Sequence, residues 1–354
     1  MKSRITNLSR LTIAAIILLC LSTRVAPTFA TSAPPGTYPS TLVPGPDPPL
    51  NPTALLQIGG DYNMTAAGTA LRNTGSGVIT VSYTGTVVAA YLVWGIMDYS
   101  QESSLASASI NGHAITGTLQ SQDSSPCWSP TYLYVFAADV TNYVTNGANT
   151  VSGFASGATD GSDPWSTFAS PMADGASLFV VTTGATANNI YLYTGTYTEP
   201  FAGNPLTSTF NHGAADATTA TTTFFVLDGQ LPGNYAQYNG VTIDSNAFPG
   251  SDPKTSSATW SYGTLSDTKT YSVPEILGAT SDSASIGATE GDCLTWAAQS
   301  IIIPSTASVP PIGVPPPPST VPQFGVSSIL MAAIGVALVA FLKKGNVRLG
   351  VSKN

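Results

Sequence analysis

The chain of 354 residues is poor in charge, and over most of its length that charge is of one sign. Charged residues make up 8% of the sequence. All 19 acidic residues lie between Asp47 and Asp292, where Arg72, Lys254 and Lys269 are the sole basic residues. Phosphate backbones attract clusters of lysine and arginine. The shortage of basic residues therefore argues against nucleic acid as a partner.

Histidine is scarce as well, and the usual catalytic motifs are missing. The sequence has two histidines, His113 in an Asn-Gly turn and His212 in a Gly/Asn-rich loop. It has no Gly-x-Ser-x-Gly, His-Glu-x-x-His or phosphate-binding loop. The neighbouring acids Glu290 and Asp292 are interpreted as solvated loop residues. We therefore predict no catalytic residues, and the chain is not expected to be an enzyme.

The first 30 residues are typical of a signal peptide. Lys2, Arg4 and Arg10 precede the apolar run from Leu11 to Leu21, and small residues before and at Ala30 suit a cleavage site. This pattern predicts that the chain is exported.

A second apolar segment, residues 323–342, contains no charge and is followed at once by Lys343 and Lys344. At about 1.5 Å per residue it is long enough to cross a bilayer as a helix. Basic residues after the span favour a cytoplasmic tail, residues 343–354. We therefore predict a single-pass protein of the cell surface, anchored by a C-terminal transmembrane helix with its ectodomain outside.

Two Pro-rich stretches flank the central part of the chain. Residues 31–54 are interpreted as an extended arm. Residues 305–322 contain successive prolines, which favour the polyproline II conformation, and they are interpreted as a stalk before the membrane segment.

Between these stretches, short Val/Thr/Tyr/Phe-rich runs alternate with Gly, Asn and Asp clusters, which is typical of an all-β fold. No run sustains a helical period. The order of strand, Asn-Gly turn and strand occurs at Asn111-Gly112 and again at Asn239-Gly240. We therefore predict two tandem β-sandwich units, residues 55–196 and 197–304.

Part of the first unit resembles the galactose-binding-like jelly rolls. The resemblance spans about 45 residues and rests on three motifs, Ala108–Gly112 (ASING), Tyr134–Thr141 (YVFAADVT) and Gly147–Val151 (GANTV). It implies a jelly-roll-like fold and no particular activity. Asp174–Val181 (DGASLFVV) is similar to uncharacterised secreted surface proteins of archaea and bacteria. Val321–Gly325 (VPQFG) resembles the Pro-Glu-Phe sorting tails of such proteins, with Gln323 in place of Glu.

The sequence contains three cysteines, and Cys20 falls in the predicted signal peptide. Cys127 and Cys293 remain as an even pair in an oxidising compartment. They are predicted to form a disulfide between the two units, the alternative being two separate buried thiols.

One polar loop stands out as a candidate ligand site. Asp160 and Asp163 flank a Gly-Ser turn, Trp165 follows in a polar context, and Asp174 closes the segment. Carboxylate oxygens on such loops suit Ca²⁺, so Asp160, Asp163 and Asp174 are candidate metal ligands. Trp165 is the best candidate for an exposed ligand contact.

These observations predict a membrane-anchored surface protein that acts in cell-envelope structure or adhesion. Its predicted partners are the membrane and either a surface glycan or an envelope protein. A carbohydrate-binding, lectin-like module is the alternative, and an extracellular glycan-active enzyme is a distant third. No cofactor is predicted other than the candidate Ca²⁺.

Overall fold

The computed structural model describes residues 50–314, apart from 52, 126–127, 129, 131, 201–204 and 289–291. The described residues form 17 β-strands and one short 3₁₀ helix, with no α-helix among them, so the predicted all-β class is confirmed. The elements in chain order are β1 (Leu56–Ala70), β2 (Gly77–Val81), β3 (Val87–Asp98), the 3₁₀ helix (Ser103–Ala106), β4 (Ser107–Ile110), β5 (His113–Thr116), β6 (Thr118–Ser124), β7 (Tyr132–Asp139), β8 (Gly147–Ser152), β9 (Met172–Thr194), β10 (Thr198–Pro200), β11 (Leu206–Asn211), β12 (Thr219–Leu227), β13 (Tyr235–Tyr238), β14 (Val241–Asp244), β15 (Ser266–Pro274), β16 (Ser281–Gly287) and β17 (Cys293–Pro304).

The largest sheet has nine strands and is built around β9. Its order is β15-β12-β17-β9-β3-β7-β6, with β1 paired to β9 and β10 paired to β17. The first half of β9 pairs with β3 and the second half with β17, while β1 runs antiparallel along both halves. The sequence predicts two strands, Ser177–Thr182 and Ile190–Tyr193, where the structure has one strand of 23 residues. The sheet therefore contains strands from both predicted units, and the division at residue 196 stays a prediction.

Two further sheets have four strands each. The first sheet has the order β2-β8-β4-β5, and the second sheet has the order β11-β16-β13-β14. Each contains a hairpin whose two turn residues have positive φ: 50° and 81° at Asn111 and Gly112, 48° and 75° at Asn239 and Gly240. Both turns have the left-handed geometry that Asn-Gly favours, because this turn matches the twist of the flanking strands. The two predicted Asn-Gly turns are confirmed.

Three apolar cores lie between these sheets. One strand can contribute to two of them, because its successive side chains point to opposite faces of the sheet. Strand β12 shows the pattern: Phe224 and Val226 pack into the core beneath the second sheet. Phe225 and Leu227 pack into a core formed by central-sheet strands from both halves of the chain. A third core lies beneath the first sheet and contains Trp94. Strands on either side of β9 therefore bury both of their faces.

The two halves of the central sheet approach closely at Gly95 of β3. A Cβ atom there would lie 2.2 Å from the Cδ1 atom of Leu227. The missing side chain lets the ends of β3 and β12 pack face to face. This contact lies beside the buried charged residues described below.

The segment after β17 does not begin as a free stalk. Ile312 exchanges two backbone hydrogen bonds with Gln57 of β1, 2.8 and 2.9 Å long, and the Tyr91 hydroxyl donates to the carbonyl of Gly313. Residues 310–312 of the predicted stalk thus lie against β1. Non-proline residues within a Pro-rich stretch keep the backbone donors that such pairing needs.

Several predicted segments lie outside the described residues. They are the signal peptide (1–30), nearly all of the arm (31–54), the stalk after residue 314, the transmembrane segment (323–342) and the tail (343–354). Within the described part of the chain, no helix has the length and apolar character needed to cross a bilayer.

Candidate functional site

A buried group of charged side chains lies where β1, β9 and β12 meet. Arg72 follows the end of β1, Asp174 lies in β9, and Asp228 follows β12; none is more than 1% exposed. The Nε atom of Arg72 donates to Oδ1 of Asp174 at 2.7 Å, and its Nη2 atom contacts the same oxygen. Nη2 also donates to Oδ1 of Asp228 at 3.3 Å. One guanidinium thus serves two carboxylates that lie 102 and 156 positions away in sequence.

Trp128 covers this group. Its indole Nε1 donates to Oδ1 of Asp228 at 2.8 Å, and the guanidinium carbon of Arg72 lies 4.4 Å from the centre of the ring. A cation over an indole face is attracted by the ring quadrupole, and the attraction grows when water is excluded. Trp128 therefore both caps the charges and is held in place by them.

Three exposed aromatic side chains extend from Trp128 to the surface. The ring centre of Trp165 lies 5.3 Å from that of Trp128 and 4.9 Å from that of Tyr262, and Phe168 lies 6.4 Å from Trp128. Trp165, Phe168 and Tyr262 are 39%, 54% and 48% exposed. We call Trp128, Trp165, Phe168 and Tyr262 the aromatic patch. Large exposed apolar side chains gathered in this way commonly mark binding surfaces.

The two loops that carry Trp165, Phe168 and Tyr262 are joined to each other through Asp163. Its Oδ2 atom accepts hydrogen bonds from the backbone N–H and the hydroxyl of Ser261, at 2.9 and 2.6 Å. Its Oδ1 atom accepts from the backbone N–H of Trp165 at 3.0 Å. The carbonyl of Gly161 accepts from the indole of Trp260 at 3.1 Å. The loop before β9 and the loop before β15 therefore present the aromatic rings from a fixed backbone.

Burial changes the titration of the two carboxylates beneath Trp128. Loss of solvent raises the pKa of Asp174 to about 6, although the charge of Arg72 opposes this rise. Burial, followed by the nearby charge of Asp174, raises the pKa of Asp228 well above its usual value. The surface acid Asp163 behaves differently: burial is outweighed by the hydrogen bonds from Ser261 and Trp165, which lower its pKa.

The raised pKa of Asp228 predicts a pH dependence of stability. A carboxyl with a raised pKa in the folded state holds its proton there while the unfolded chain has lost it. Its contribution is full below the unfolded pKa of about 3.8 and is lost as pH rises through the folded value. Asp228→Asn imitates the protonated acid and keeps the positive φ of 64°, which asparagine tolerates.

We therefore expect Asp228→Asn to melt a few degrees above wild type at pH 8 and no higher than wild type at pH 4. Thermal unfolding of both proteins across this range, compared at each pH, isolates the residue from the other carboxyls. A constant difference in melting temperature at every pH would contradict the assignment.

The structure separates the four predicted site residues into two groups. Asp163 and Trp165 lie in the loop that carries the patch, and Asp160 in the same loop accepts the backbone N–H of Ser162 at 3.1 Å. Asp174 lies beneath, paired with Arg72. Among the described residues, the one group of His, Cys, Asp and Glu side chains close enough for a shared ion is His212, Glu275 and Asp282. The Ca²⁺ site at Asp160, Asp163 and Asp174 stays a prediction.

The interpretation of Asp292 as a solvated acid is wrong. Its side chain is fully buried, and Oδ2 accepts the backbone N–H groups of Gln230 and Leu231 at 3.0 Å and the amide of Asn234 at 2.6 Å. The acid thereby fixes the loop that follows Asp228. No sequence pattern marks this role, because the donors are 58 to 62 positions distant.

The predicted disulfide lies partly outside the described residues, because Cys127 is not among them. Cys293 is buried at the start of β17. Trp128, next to Cys127 in sequence, donates a hydrogen bond to Asp228. Asp292, next to Cys293, accepts a hydrogen bond from Gln230, two residues after Asp228. The neighbours of both cysteines thus contact one loop, and the disulfide stays a prediction.

A polar cleft of about 350 Å³ lies elsewhere, at the bulge between β1 and β9. Its lining includes Tyr62, Asn63, Thr183 and Asn188, and it contains no charged side chain. With neither charge nor a group of aromatic rings, the cleft is a weaker candidate than the patch for specific recognition.

No protein-family profile matches the chain, and no curated protein matches it. Among solved structures, the chain is similar to a peptide-N(4)-(N-acetyl-β-D-glucosaminyl)asparagine amidase at 10% sequence identity. The alignment covers 71% of this chain and 99% of that one, with a TM-score of 0.26. A likeness at this level carries no argument about activity, so the functional conclusion rests on the geometry of the chain itself.

Proposed function

We propose that this chain is an adhesion protein of the cell surface that binds carbohydrate through the aromatic patch. The main observation is that three exposed rings continue outward from Trp128: Trp165 and Phe168 contact it, and Tyr262 contacts Trp165 from a second loop that is hydrogen-bonded to the first. One face of a sugar ring consists of C–H groups that pack against aromatic rings. The sugar hydroxyls form hydrogen bonds with polar groups around those rings. Asp160, Ser166 and Ser261 supply such groups close to the rings in sequence.

The rigidity of the patch supports binding as its role. Tryptophan and tyrosine supply a large contact area at a small cost in conformational entropy, since each has two side-chain torsions. The loop containing Trp165 is further ordered by the Asp163 hydrogen bonds, so little freedom remains to be lost on association.

The position of the acids supports binding over catalysis. Asp174 and Asp228 are buried beneath Trp128 and engaged with Arg72, so a bound sugar would meet the rings first. The predicted export and membrane anchor would place the patch outside the cell, where glycans and envelope proteins are the available partners. A surface protein with two β-sandwich units and a Pro-rich stalk remains the proposed organisation.

The test is a glycan array probed with the purified full chain and with Trp165→Ala. We expect wild type to bind a restricted set of glycans and Trp165→Ala to bind them about tenfold more weakly or worse, because a central aromatic anchor carries much of the binding energy. Since Trp165 is 39% exposed, the melting temperature of the Trp165→Ala protein should differ little from that of wild type.

Val78→Ala is the matched control, because Val78 is also 39% exposed but lies on β2 of the first sheet. It should bind as wild type does. A Trp165→Ala protein that melts several degrees lower yet binds normally would remove Trp165 from the site. Silence of wild type across the array would instead favour an envelope protein as the partner.

A further inference from the structure

A second group of ionisable side chains lies at one end of the second sheet, apart from the aromatic patch. His212 directly follows β11, Glu275 directly follows β15, and Asp282 is the second residue of β16. One nitrogen or oxygen donor of each lies within 4.8 Å of the others. The side chains of His212 and Asp282 are at most 1% exposed, and Glu275 is 5% exposed.

Two buried atoms in this group have no hydrogen-bond partner among the described residues. They are Nε2 of His212 and Oε2 of Glu275. Buried polar atoms are nearly always satisfied, so each requires an explanation. Both atoms belong to residues of the same donor group, which points to one missing partner rather than two unrelated defects.

The histidine ring is held in one orientation by its other nitrogen. Nδ1 of His212 lies 2.7 Å from the carbonyl oxygen of Gly213, which can only accept, so Nδ1 carries the proton in that hydrogen bond. In the protonated ring Nε2 donates to Oδ2 of Asp282, 3.0 Å away, as an ion pair; in the neutral ring the lone pair of Nε2 faces that oxygen, and a cation can lie between the two atoms. A histidine that donates one N–H to a backbone carbonyl and offers the other nitrogen to a cation is the usual arrangement at metal centres.

Asp282 is held just as firmly. The Tyr238 hydroxyl donates to Oδ2 at 2.5 Å, and the amide of Asn239 donates to Oδ1 at 2.7 Å. Such supporting donors fix the direction of a carboxylate ligand. The donor group therefore has positioned ligands before any ion binds.

The first sheet offers an internal comparison, because its hairpin makes the same contacts. Asn111 accepts the backbone N–H of Thr150 on its side-chain oxygen at 2.9 Å, and Asn239 accepts that of Ser283 at 2.8 Å. In each case the backbone N–H of the asparagine donates back to the same residue at 2.8 Å. Thr150 and Ser283 therefore occupy equivalent positions.

This equivalence identifies what the first sheet has at the ligand positions. The amide of Asn111 contacts Asn149, where the second sheet has Asp282. In the first sheet, Asn149 pairs with Ile79, and Val81 lies two residues after Ile79. In the second sheet, Asp282 pairs with Phe210, and His212 lies two residues after Phe210. A neutral amide and an aliphatic side chain thus suffice in the first sheet. The ionisable set in the second sheet is not a requirement of the strand pairing.

We propose that His212, Glu275 and Asp282 bind a Zn²⁺ ion that ties β11, β15 and β16 together at this end of the second sheet. Zn²⁺ accepts imidazole nitrogen and carboxylate oxygen at about 2.0–2.2 Å, so donors on one ion lie at most roughly 4.4 Å apart and small side-chain rotations suffice. The imidazole disfavours Ca²⁺ and Mg²⁺, which take oxygen ligands. Three protein ligands leave a fourth position for water.

The test is metal binding by the purified full chain after removal of metal with a chelator. Titration with Zn²⁺ should give one ion per chain by calorimetry and by elemental analysis. Because an ion that binds only the folded state stabilises it, the melting temperature should rise by about 5–10 °C at a hundredfold excess over Kd. Ca²⁺ at the same concentration should give a much smaller rise.

The internal comparison supplies variants that are expected to fold. Asp282→Asn and His212→Val introduce the residue types of Asn149 and Val81, and each should weaken Zn²⁺ binding by about a hundredfold or more. Glu275→Gln is the third ligand variant, should either of the first two fail to fold.

His113→Val is the matched control, since His113 is the other histidine of the chain and lies exposed in the β4–β5 hairpin. It should bind Zn²⁺ as wild type does. Absence of Zn²⁺ from wild type, tighter binding of Ca²⁺ than of Zn²⁺, or unchanged binding in folded Asp282→Asn and His212→Val would each overturn the proposal. Glycan binding by the aromatic patch is unaffected by these outcomes, because the two groups share no residue.

Discussion

Replacing Arg72 with methionine should lower the free energy of unfolding by about 3–5 kcal/mol, because the buried carboxylate of Asp174 would then lie without a cation and Asp228 would lose its guanidinium donor. Asp174 and Asp228 both contact this guanidinium, and neither is more than 1% exposed. Methionine fills much of the same volume as arginine. The decrease in the free energy of unfolding therefore measures mainly the loss of the positive charge and not the creation of a cavity. Denaturant unfolding at pH 7.5 measures the difference.

Lys269→Met is the control for loss of a positive charge. Its Nζ atom lies 3.9 Å from Asp267 and the side chain is 31% exposed, so the change should cost less than about 1 kcal/mol. The double variant Arg72→Met/Asp228→Asn should recover part of the loss, because an amide does not need a counter-charge. An Arg72→Met protein as stable as Lys269→Met would show that the buried group is not a paired ionic cluster.

Trp296→Ala should cause a loss of similar size, about 3–5 kcal/mol, for a different reason. The indole is fully buried beneath the second sheet and stacks on Phe224, with ring centres 5.7 Å apart and planes 25° apart. Removing it leaves a cavity that the surrounding strands, held in place by their ladder hydrogen bonds, cannot fill. Denaturant unfolding again provides the measurement.

Comparing Trp296→Phe with Trp94→Phe separates the contribution of ring packing from that of the indole hydrogen bond. The Nε1 atom of Trp296 has no partner among the described residues, whereas Nε1 of Trp94 donates to the carbonyl of Leu105 at 3.3 Å. Trp94 otherwise matches it, stacked on Phe136 at 5.7 Å and 24°. Trp296→Phe should therefore cost about 1 kcal/mol less than Trp94→Phe. Equal costs would mean that the hydrogen bond of Trp94 contributes nothing.

The local pattern of the chain predicts the hairpins and several strands correctly. The two Asn-Gly turns have the expected left-handed geometry, because only small or amide side chains tolerate positive φ at both positions. Apolar β-branched and aromatic runs such as Thr221–Leu227 form strands, which is what their composition favours. These features depend on neighbouring residues, which the sequence displays directly.

Other strands have sequence patterns too weak to predict them. Strand β1 (LQIGGDYNMTAAGTA) is rich in Gly, Ala and Thr and shows little alternation, yet it pairs with β9 along its whole length. Strand β16 (SDSASIG) is largely polar and pairs with both β11 and β13. Backbone hydrogen bonds form these ladders, and they require a partner strand more than a side-chain pattern.

The candidate sites show the same division. The sequence alone determined that the chain is acidic, all-β and turn-rich, and it marked Trp165 as an aromatic residue in a polar loop, which the structure places at the surface. Only the tertiary structure placed Arg72 between Asp174 and Asp228, and His212 beside Asp282. Burial and charge pairing arise between residues about 70 to 156 positions apart. Such pairs come together through sheet topology, and no local pattern of residues records that topology.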